Sequence, residues 1–453
     1  MKNRHSRELY GREGACTSLR RHRPASGAFA GVPSPCDPAV AIVIVARSDA
    51  WHHGAVSPDP VAQHTSSVRE KPRIAVIGGG INGAGAAWEL ARRDYDVVLF
   101  DKGLCGAQTS STTTKMIHGG LRYLERMHFA LVRESLRERA WLLEHAAGLV
   151  RPLEILLPIY DDSPRSRAVL KLGLVLYDRL ARDERMPGHR SFAAPDLLER
   201  APLVERGLRG GFSYWDAQVD DFALVRAVVA SAIVDGATIR ERTRIVHMRR
   251  DDAGWILRTE DGGEEHFDLV VNAAGPWMNE LLRENGIAAP YVLSLVRGSH
   301  LVLKHRVSDA GLLLQSTSDR RVFFVLPWKG TTLVGTTEVV QRESLDHVQA
   351  TEEEAGYLIQ RFNHYLAHPI SRDDVQSTFA GVRPLVGRAT NPSAIGRDFR
   401  VVRRGNLINV FGGKMTTFMA LARKVALRAD NYFGDTREAR PAVFANPTDG
   451  SLP

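Results

Sequence analysis

The chain has 453 residues, of which 44% are hydrophobic and 25% charged, and this length is enough for two or three domains with a large buried core. The hydrophobic content excludes a wholly disordered chain, and no run of about 18 apolar residues is present that could span a membrane. The three cysteines exclude a disulfide framework and form no Cys-x-x-Cys pair for zinc, so we expect no metal site and a reducing, cytoplasmic setting. A formal net charge of +8 permits anionic partners without choosing among nucleic acid, lipid and small molecules.

Residues 1–70 differ in composition from the rest of the chain. Clusters of arginine alternate with Pro, Ser, Gly and Ala, and the one apolar run, Ala39–Ala46, is too short for a signal peptide or a membrane span. We predict that this segment is a disordered extension or results from a start codon placed too early. The polar, proline-containing end of the chain, residues 433–453, is predicted to be loose.

A βαβ unit is predicted directly after the extension. An apolar run at Arg73–Ile77 is followed by an Ala- and Leu-rich stretch, Ala84–Arg93, and by a second apolar run at Val97–Phe100. This order predicts a strand, a helix and a strand, and therefore a parallel sheet with helices on its faces. We expect an α/β fold in this region.

The turn between the predicted first strand and helix has the sequence Gly78-x-Gly80-x-x-Gly83. Gly78 permits the tight turn, Gly80 lets the backbone approach a pyrophosphate, and Gly83 lets the helix pack closely on the strand. The helix N-terminus faces the phosphate charge, and Asp101, at the end of the second strand, is placed to bind ribose hydroxyls. The pattern predicts a dinucleotide site but does not decide between NAD and FAD.

Hydrophobic spacing predicts further elements along the chain. Apolar residues at intervals of three and four from Phe129 to Leu143 predict a long helix. Turn signals separate several later strand-like runs, which indicates a mixed or antiparallel sheet in a second region. These runs are Ile155–Ile159, Leu269–Asn272, Leu301–Leu303, Val322–Leu326 and Leu407–Phe411.

Two later segments resemble parts of FAD-dependent oxidoreductases. Leu269–Trp277 resembles the strand and turn that these enzymes place beside the dinucleotide. Val410–Thr417 resembles their final flavin-contacting turn into a helix. Together with the glycine fingerprint, these resemblances imply that the cofactor is FAD.

A third segment narrows the family. Thr109–Glu125, with the sequence TSSTTTKMIHGGLRYLE, resembles the flavin-proximal signature of the FAD-dependent, quinone-linked glycerol-3-phosphate dehydrogenases, which are D-amino-acid-oxidase-like flavoproteins. The resemblance covers Pro72 to Asp430. It continues in the family's order through Val219–Asp221, Arg297–His300, Pro327–Trp328, Gly335–Thr337, Ser371–Asp374 and Gly381–Pro384.

The resemblance implies a Rossmann-like FAD-binding domain built from separated segments, with a mixed or antiparallel-sheet substrate domain inserted between them. The FAD-binding segments are predicted at 71–150, 205–285 and 376–432, and the substrate and membrane-facing segments at 151–204 and 286–375. Family members continue into a helical C-terminal domain, which we expect to be absent from this chain. The implied cofactor-binding residues are Gly78, Gly80, Gly83, Asp101, Thr109, Ser110, Ser111, Lys115, His118, Gly120, Val246, Ala274, Gly275, Trp277, Gly412, Gly413, Lys414, Met415 and Thr416.

The implied reaction is the oxidation of the secondary alcohol of sn-glycerol 3-phosphate to dihydroxyacetone phosphate, with hydride transfer to FAD. His118 is the candidate base, and a bound water or a residue outside the motifs stays open for this role. Because guanidinium and ammonium groups bind a dianionic phosphate through charge-assisted hydrogen bonds, cationic residues are expected around the substrate. The remaining implied catalytic residues are Arg122, Tyr123, Arg383, Arg397 and Lys414.

The resemblance also implies that electrons pass to membrane quinone and that the protein lies on the inner face of the cytoplasmic membrane. Arg165–Arg182 has five basic residues and one acidic residue among leucines, so it can form a helix in the lipid headgroup region. The same pattern also fits a helix packed against the substrate domain, and the resemblance favours an anionic membrane surface as its partner. A homodimer is left open.

Three other functions are weighed against this prediction. A related amino acid or amine oxidase that uses oxygen shares the fold but binds one carboxylate and needs fewer cations than this chain offers. A catalytically silent flavin-binding protein is the second alternative. Nucleic-acid binding is the third, but no recognised motif accompanies the basic pI, so we expect no nucleic-acid partner.

Overall fold

The glycine fingerprint lies in the turn that joins the first strand to the first helix. Strand β1 (Arg73–Ile77) pairs in parallel with β2 (Asp96–Phe100), and helix α1 (Ile81–Arg92) connects them. Gly78 has a φ of +103°, and a Cβ atom at Gly83 would lie 1.8 Å from the carbonyl oxygen of Gly78. Only glycine at both positions therefore lets this turn and helix pack as they do.

The computed structural model describes residues 71–181, 186–388 and 398–445. The predicted extension at 1–70 and the last residues, 446–453, lie outside this range. The later strands are β3 Met116–Ile117, β4 Val150–Tyr160, β5 Arg190–Phe192, β6 Leu208–Val219, β7 Thr238–Arg240, β8 Ile245–Arg250, β9 Trp255–Thr259, β10 Glu264–Phe267, β11 Leu269–Asn272, β12 Leu293–Leu303, β13 Gly311–Gln315, β14 Val322–Trp328, β15 Thr331–Gly335, β16 Val339–Val340, β17 Val375–Val386, β18 Arg400–Arg404 and β19 Leu407–Phe411. The later helices are α2 Phe129–His145, α3 Arg167–Ala181, α4 Ala194–Leu198, α5 Asp221–Val234, α6 Met278–Glu284, α7 Glu352–Asn363 and α8 Phe418–Phe433.

The first sheet has six strands in the order β18-β19-β11-β1-β2-β7. All neighbours pair in parallel except β18 and β19, which are antiparallel. Its four inner strands, β19, β11, β1 and β2, are almost continuously apolar and buried, as expected of a parallel sheet covered on both faces. Helices α1, α5 and α8 pack together beside it, and the predicted α/β fold is confirmed.

The second sheet has ten strands and is antiparallel except for the parallel pair β13 and β4. It includes β6 and most of β17, which lie in segments predicted for the FAD-binding domain. Strand β6 pairs with β4 from Val150↔Val219 to Tyr160↔Leu208, and β17 pairs with β12 along its length, so neither joins the dinucleotide sheet. A strand can be predicted from local sequence, whereas its pairing partners lie far away in sequence, so the sheet to which β6 and β17 belong is not predictable from the chain alone. The domain bounds stay predictions.

The segment after α8 is also different from the prediction of a loose tail. The backbone N–H of Arg440 donates to the carbonyl of Arg92 at 2.9 Å, and the ring of Phe444 lies 5.0 Å from that of Trp88. These contacts pack residues 435–445 against α1, because Phe444 can bury its ring between aromatic side chains.

Candidate active site

A cavity of about 610 Å³ is lined by residues of both large sheets. Gly78 and Asp101 lie on its wall from the parallel sheet, and Leu313 and Phe324 from the second sheet. Its size is within the usual range for a cofactor or substrate site. Each predicted site residue can therefore be checked for whether it lines this cavity.

The dinucleotide end of the cavity is built from backbone groups and one carboxylate. Asp101 accepts hydrogen bonds from the backbone N–H groups of Gly79 and Gly103, both at 2.7 Å. Burial raises the pKa of the Asp101 carboxyl, and these two N–H donors act in the opposite direction. Ser110 Oγ accepts from the N–H of Ile81 at 3.0 Å, which places a hydroxyl at the positive N-terminus of α1.

Four predicted cofactor residues do not line the cavity: Gly83, Ser111, Lys115 and Val246. Gly83 packs α1 against the turn, as expected. Lys115 is buried and its Nζ forms an ion pair with Asp221 at 2.6 Å, so its ammonium group neutralises a buried carboxylate, and its contact with the cofactor stays a prediction. Ile245 lies on the wall in place of Val246, because consecutive side chains of a strand point to opposite faces.

The predicted catalytic residues His118, Arg122 and Tyr123 line the same cavity. The N–H of His118 donates to Thr416 Oγ1 at 3.2 Å, which joins the segment to the loop before α8. Gly120 has a φ of +81° and begins a short 3₁₀ helix, Leu121–Arg126. The ring of Tyr123 lies over Gly120, and Lys414 Nζ lies 4.2 Å from the centre of this ring.

Three of the four cationic residues predicted for substrate binding line the cavity: Arg122, Arg383 and Lys414. Arg383 Nη2 donates to Thr336 Oγ1 at 3.0 Å, and Gly298 leaves the space that the guanidinium occupies. Burial and the neighbouring cations Arg383 and Lys115 hold the pKa of His300 well below its usual value, so this imidazole adds no charge. The predicted residue Arg397 lies outside the described residues.

The cavity thus brings together most of the predicted site. The predicted residues on its wall are Gly78, Gly80, Asp101, Thr109, Ser110, His118, Gly120, Arg122, Tyr123, Ala274, Gly275, Trp277, Arg383, Gly412, Gly413, Lys414, Met415 and Thr416. Other polar residues on the wall were not predicted, among them Asn82, whose amide donates to the carbonyl of Gly412 at 3.1 Å, Thr336 beside Arg383, and Asp216. Thr336 belongs to the motif Gly335–Thr337, which could have indicated a role in the site, whereas no sequence motif contains Asp216.

The residues present fit an FAD molecule. A glycine turn and the N-terminus of α1 suit a pyrophosphate, and the Asp101 carboxylate suits ribose hydroxyls. Gly412 and Gly413 have φ values of +71° and +107°, and a Cβ atom at Gly413 would lie 2.3 Å from Asn82 Nδ2, so the backbone comes unusually close here. The same cavity reaches His118 and Lys414, where a flavin ring would meet its substrate.

Comparisons with known proteins agree with this geometry. The family model "FAD dependent oxidoreductase" matches residues 73–428. D-erythritol 1-phosphate dehydrogenase of Brucella abortus is 40% identical over 374 residues, which cover 80% of this chain and 74% of that protein. Glycerol-3-phosphate dehydrogenase of Pseudomonas aeruginosa is 36% identical over 398 residues, which cover 85% of this chain and 77% of that protein. The solved structure of a glycerol-3-phosphate dehydrogenase from Bacillus halodurans complexed with FAD superposes with a TM-score of 0.65 at 23% identity, over 82% of this chain and 67% of that one, which shows a shared fold.

Proposed function

We propose, for a chain that belongs to the family of FAD-dependent oxidoreductases, the oxidation of sn-glycerol 3-phosphate to dihydroxyacetone phosphate. FAD, predicted from the sequence, is confirmed as the cofactor by the family match. One observation carries the proposal: a single cavity contains the dinucleotide features at Gly78 and Asp101 together with His118 and the predicted cationic residues Arg122, Arg383 and Lys414. The named relatives support a phosphorylated polyol as the substrate.

A bound FAD would supply the hydride acceptor for oxidation of the secondary alcohol. We assign His118 to remove the proton from the substrate hydroxyl. It lines the cavity and its backbone is bonded to Thr416, in the loop before α8 that is predicted to contact the flavin. Arg122, Arg383 and Lys414 hold the phosphate, and Tyr123 orients the substrate beside Lys414. Because both the phosphate and the reacting hydroxyl are held, the secondary carbon is kept in one orientation for hydride transfer.

The test is anaerobic addition of glycerol 3-phosphate to the purified, FAD-loaded protein. We expect the flavin absorption band to bleach, whereas glycerol, which lacks the phosphate, should leave the band unchanged at the same concentration. Bleaching by amino acids alone would support the oxidase instead. An unchanged band with every candidate would support the catalytically silent flavin-binding protein.

A second candidate substrate is D-erythritol 1-phosphate. The relative with that name is 40% identical to this chain, compared with 36% for the glycerol-3-phosphate dehydrogenase. Both molecules present a secondary alcohol and a phosphate, so the same cationic groups serve either one. The ratio of kcat/KM for the two phosphates, measured by stopped-flow flavin reduction, decides between them.

His118→Ala is expected to slow flavin reduction about 100-fold or more at saturating substrate, because a general base contributes on that order. FAD content should not change, since the backbone N–H of His118, which alanine keeps, donates to Thr416 Oγ1. Single-turnover reduction and the flavin-to-protein absorbance ratio measure the two quantities. His368→Ala, at an exposed position away from the cavity, is the control, and reduction by His118→Ala at the wild-type rate would remove His118 from the mechanism.

We also propose that α3 contacts an anionic membrane surface and that quinone approaches along it. Among the described residues, no helix combines the length and apolar character needed to cross a bilayer. The inner face of α3 packs into the protein through Leu170, Leu174 and Tyr177. Its outer face leaves Val169 54% and Leu172 62% exposed, and both residues line the mouth of the cavity. Exposed apolar side chains beside basic ones are typical of a surface that binds lipid.

Charge reversal tests this surface. Lys171→Glu combined with Arg179→Glu is expected to weaken binding to vesicles containing phosphatidylglycerol about 30-fold, because each basic residue contributes about 1 kcal/mol near an anionic surface. Co-sedimentation with the vesicles measures the binding. Arg249→Glu with Arg258→Glu, at exposed positions of the three-stranded sheet β8–β10, makes the same charge change elsewhere. Equal binding by both double variants would contradict the proposal; Arg182, predicted in the same segment, lies outside the described residues.

A further inference from the structure

One buried ion pair beside the cavity has no part in the proposed chemistry. Asp216 Oδ1 and Arg139 Nη1 are 2.6 Å apart, and each side chain is only 2% exposed. The same oxygen accepts the Tyr177 hydroxyl at 2.7 Å and the backbone N–H of Gly119 at 3.1 Å. Burying two charges is unfavourable unless their hydrogen bonds are satisfied, and here three donors converge on one carboxylate oxygen.

The four residues come from four different elements around the catalytic end of the cavity. Asp216 belongs to β6, Arg139 to α2 and Tyr177 to α3, while Gly119 follows His118 directly. A Cβ atom at Gly119 would lie 2.4 Å from the Tyr177 hydroxyl, so glycine is required for this close approach. The His118 segment is thereby held on one side by Thr416 and on the other by Asp216.

We infer that Asp216 is a positioning residue: its carboxylate, oriented by Arg139 and Tyr177, holds the N–H of Gly119 and so sets the place of His118 in the cavity. This inference rests on the proposed function for its kinetic part only. Asp216 positions the proposed base, and its hydrogen bonds go to Gly119, Arg139 and Tyr177 and to none of the proposed phosphate-binding residues. Its loss should therefore slow the reaction without weakening substrate binding. A buried ion pair with a purely structural role would not produce that separation.

A second buried triad provides matched controls. The Tyr95 hydroxyl donates to Asp430 at 2.9 Å, and Asp430 also pairs with Arg93. None of these three residues lines the cavity. Tyr95→Phe and Asp430→Asn therefore remove the same kinds of hydrogen bond as Tyr177→Phe and Asp216→Asn, at a different place in the fold.

Stopped-flow reduction of the FAD-loaded variants by glycerol 3-phosphate is the first measurement. We expect the limiting rate to fall about tenfold or more in Asp216→Asn and severalfold in Tyr177→Phe, with the half-saturating concentration within about twofold of wild type. Tyr95→Phe and Asp430→Asn should react at the wild-type limiting rate. The inference would be overturned if Tyr177→Phe had the same limiting rate as Tyr95→Phe and Asp216→Asn the same limiting rate as Asp430→Asn.

Hydrogen–deuterium exchange of the peptide containing Gly119 is the second measurement and needs no turnover. The Gly119 amide should exchange about tenfold faster in Asp216→Asn, while Tyr95→Phe leaves it at the wild-type rate. Unchanged exchange in Asp216→Asn would overturn the inference even if reduction slowed. Failure of every polyol phosphate to reduce the wild-type flavin would overturn the proposed function instead, and faster exchange would then still support the positioning of the His118 segment.

Discussion

Gly83→Ala is expected to leave the protein without stoichiometric FAD. The added Cβ would lie 1.8 Å from the carbonyl oxygen of Gly78, a backbone atom, so α1 or the turn must move. Movement of either displaces the N-terminus of α1 and the glycine turn from the place where a pyrophosphate is bound. We expect an unfolding free energy lower by about 3 kcal/mol, the upper part of the range for overpacking. The flavin-to-protein absorbance ratio after gel filtration and denaturant unfolding measure the two effects.

Gly356→Ala is the matched control for this change. Gly356 also lies within a helix, α7, but a Cβ atom there would meet nothing within 4 Å. The substitution should therefore stabilise the protein by about 0.5–1 kcal/mol, because alanine loses less conformational freedom than glycine. Full flavin content in Gly83→Ala, matching that of Gly356→Ala, would contradict the role of the close helix–turn contact.

Arg383→Leu is expected to raise the half-saturating concentration of glycerol 3-phosphate about 100-fold. A charge-assisted hydrogen bond contributes about 1.5–3 kcal/mol, and loss of about 3 kcal/mol weakens binding by roughly two orders of magnitude. Arg383→Lys should recover part of the loss, because it keeps the charge but not the planar fork. FAD content should stay at the wild-type level, and titration of anaerobic flavin reduction gives the half-saturating concentration.

The control for Arg383 is Arg372→Leu. Arg372 pairs with Glu352 on the surface, where its side chain is 50% exposed, and it is not on the cavity wall. Surface pairs of this kind contribute about 0–1 kcal/mol, so the half-saturating concentration should not change. If Arg383→Leu and Arg372→Leu gave the same titration curve, the phosphate would have to be bound by other groups.

The sequence predicted well those strands and turns that depend only on neighbouring residues. Strands Leu269–Asn272 and Leu407–Phe411 begin and end where the apolar runs predicted, because each is bounded by turn residues and fully buried. Asp101 and the glycine turn could be placed from the sequence because both belong to one continuous βαβ unit. Family membership and FAD followed from a resemblance and were confirmed by the comparisons.

Long-range pairing explains what could not be predicted. Lys115 follows a Ser/Thr run typical of a cofactor loop, yet its partner Asp221 is 106 positions away, and nothing near Lys115 indicates that carboxylate. Asp216 is one acidic residue in an apolar strand, and its role depends on three donors from three other elements. Val246 follows the wall residue Ile245 in strand β8, where consecutive side chains point to opposite faces, so its predicted cofactor contact stays a prediction.

The interleaving of the two sheets has a consequence for biosynthesis. The N–H of Arg73 in β1 bonds to Asp268, 195 residues later, and Asn82 bonds to Gly412, 330 residues later. At about 5–20 residues per second, roughly 17–66 seconds of translation separate Asn82 from its partner. During that interval β1 and β2 leave the ribosome with apolar faces and an unpaired edge, which favours aggregation. The Gly412 loop that completes the predicted FAD site is translated only after this interval, so we expect added chaperones to raise the yield of FAD-loaded protein.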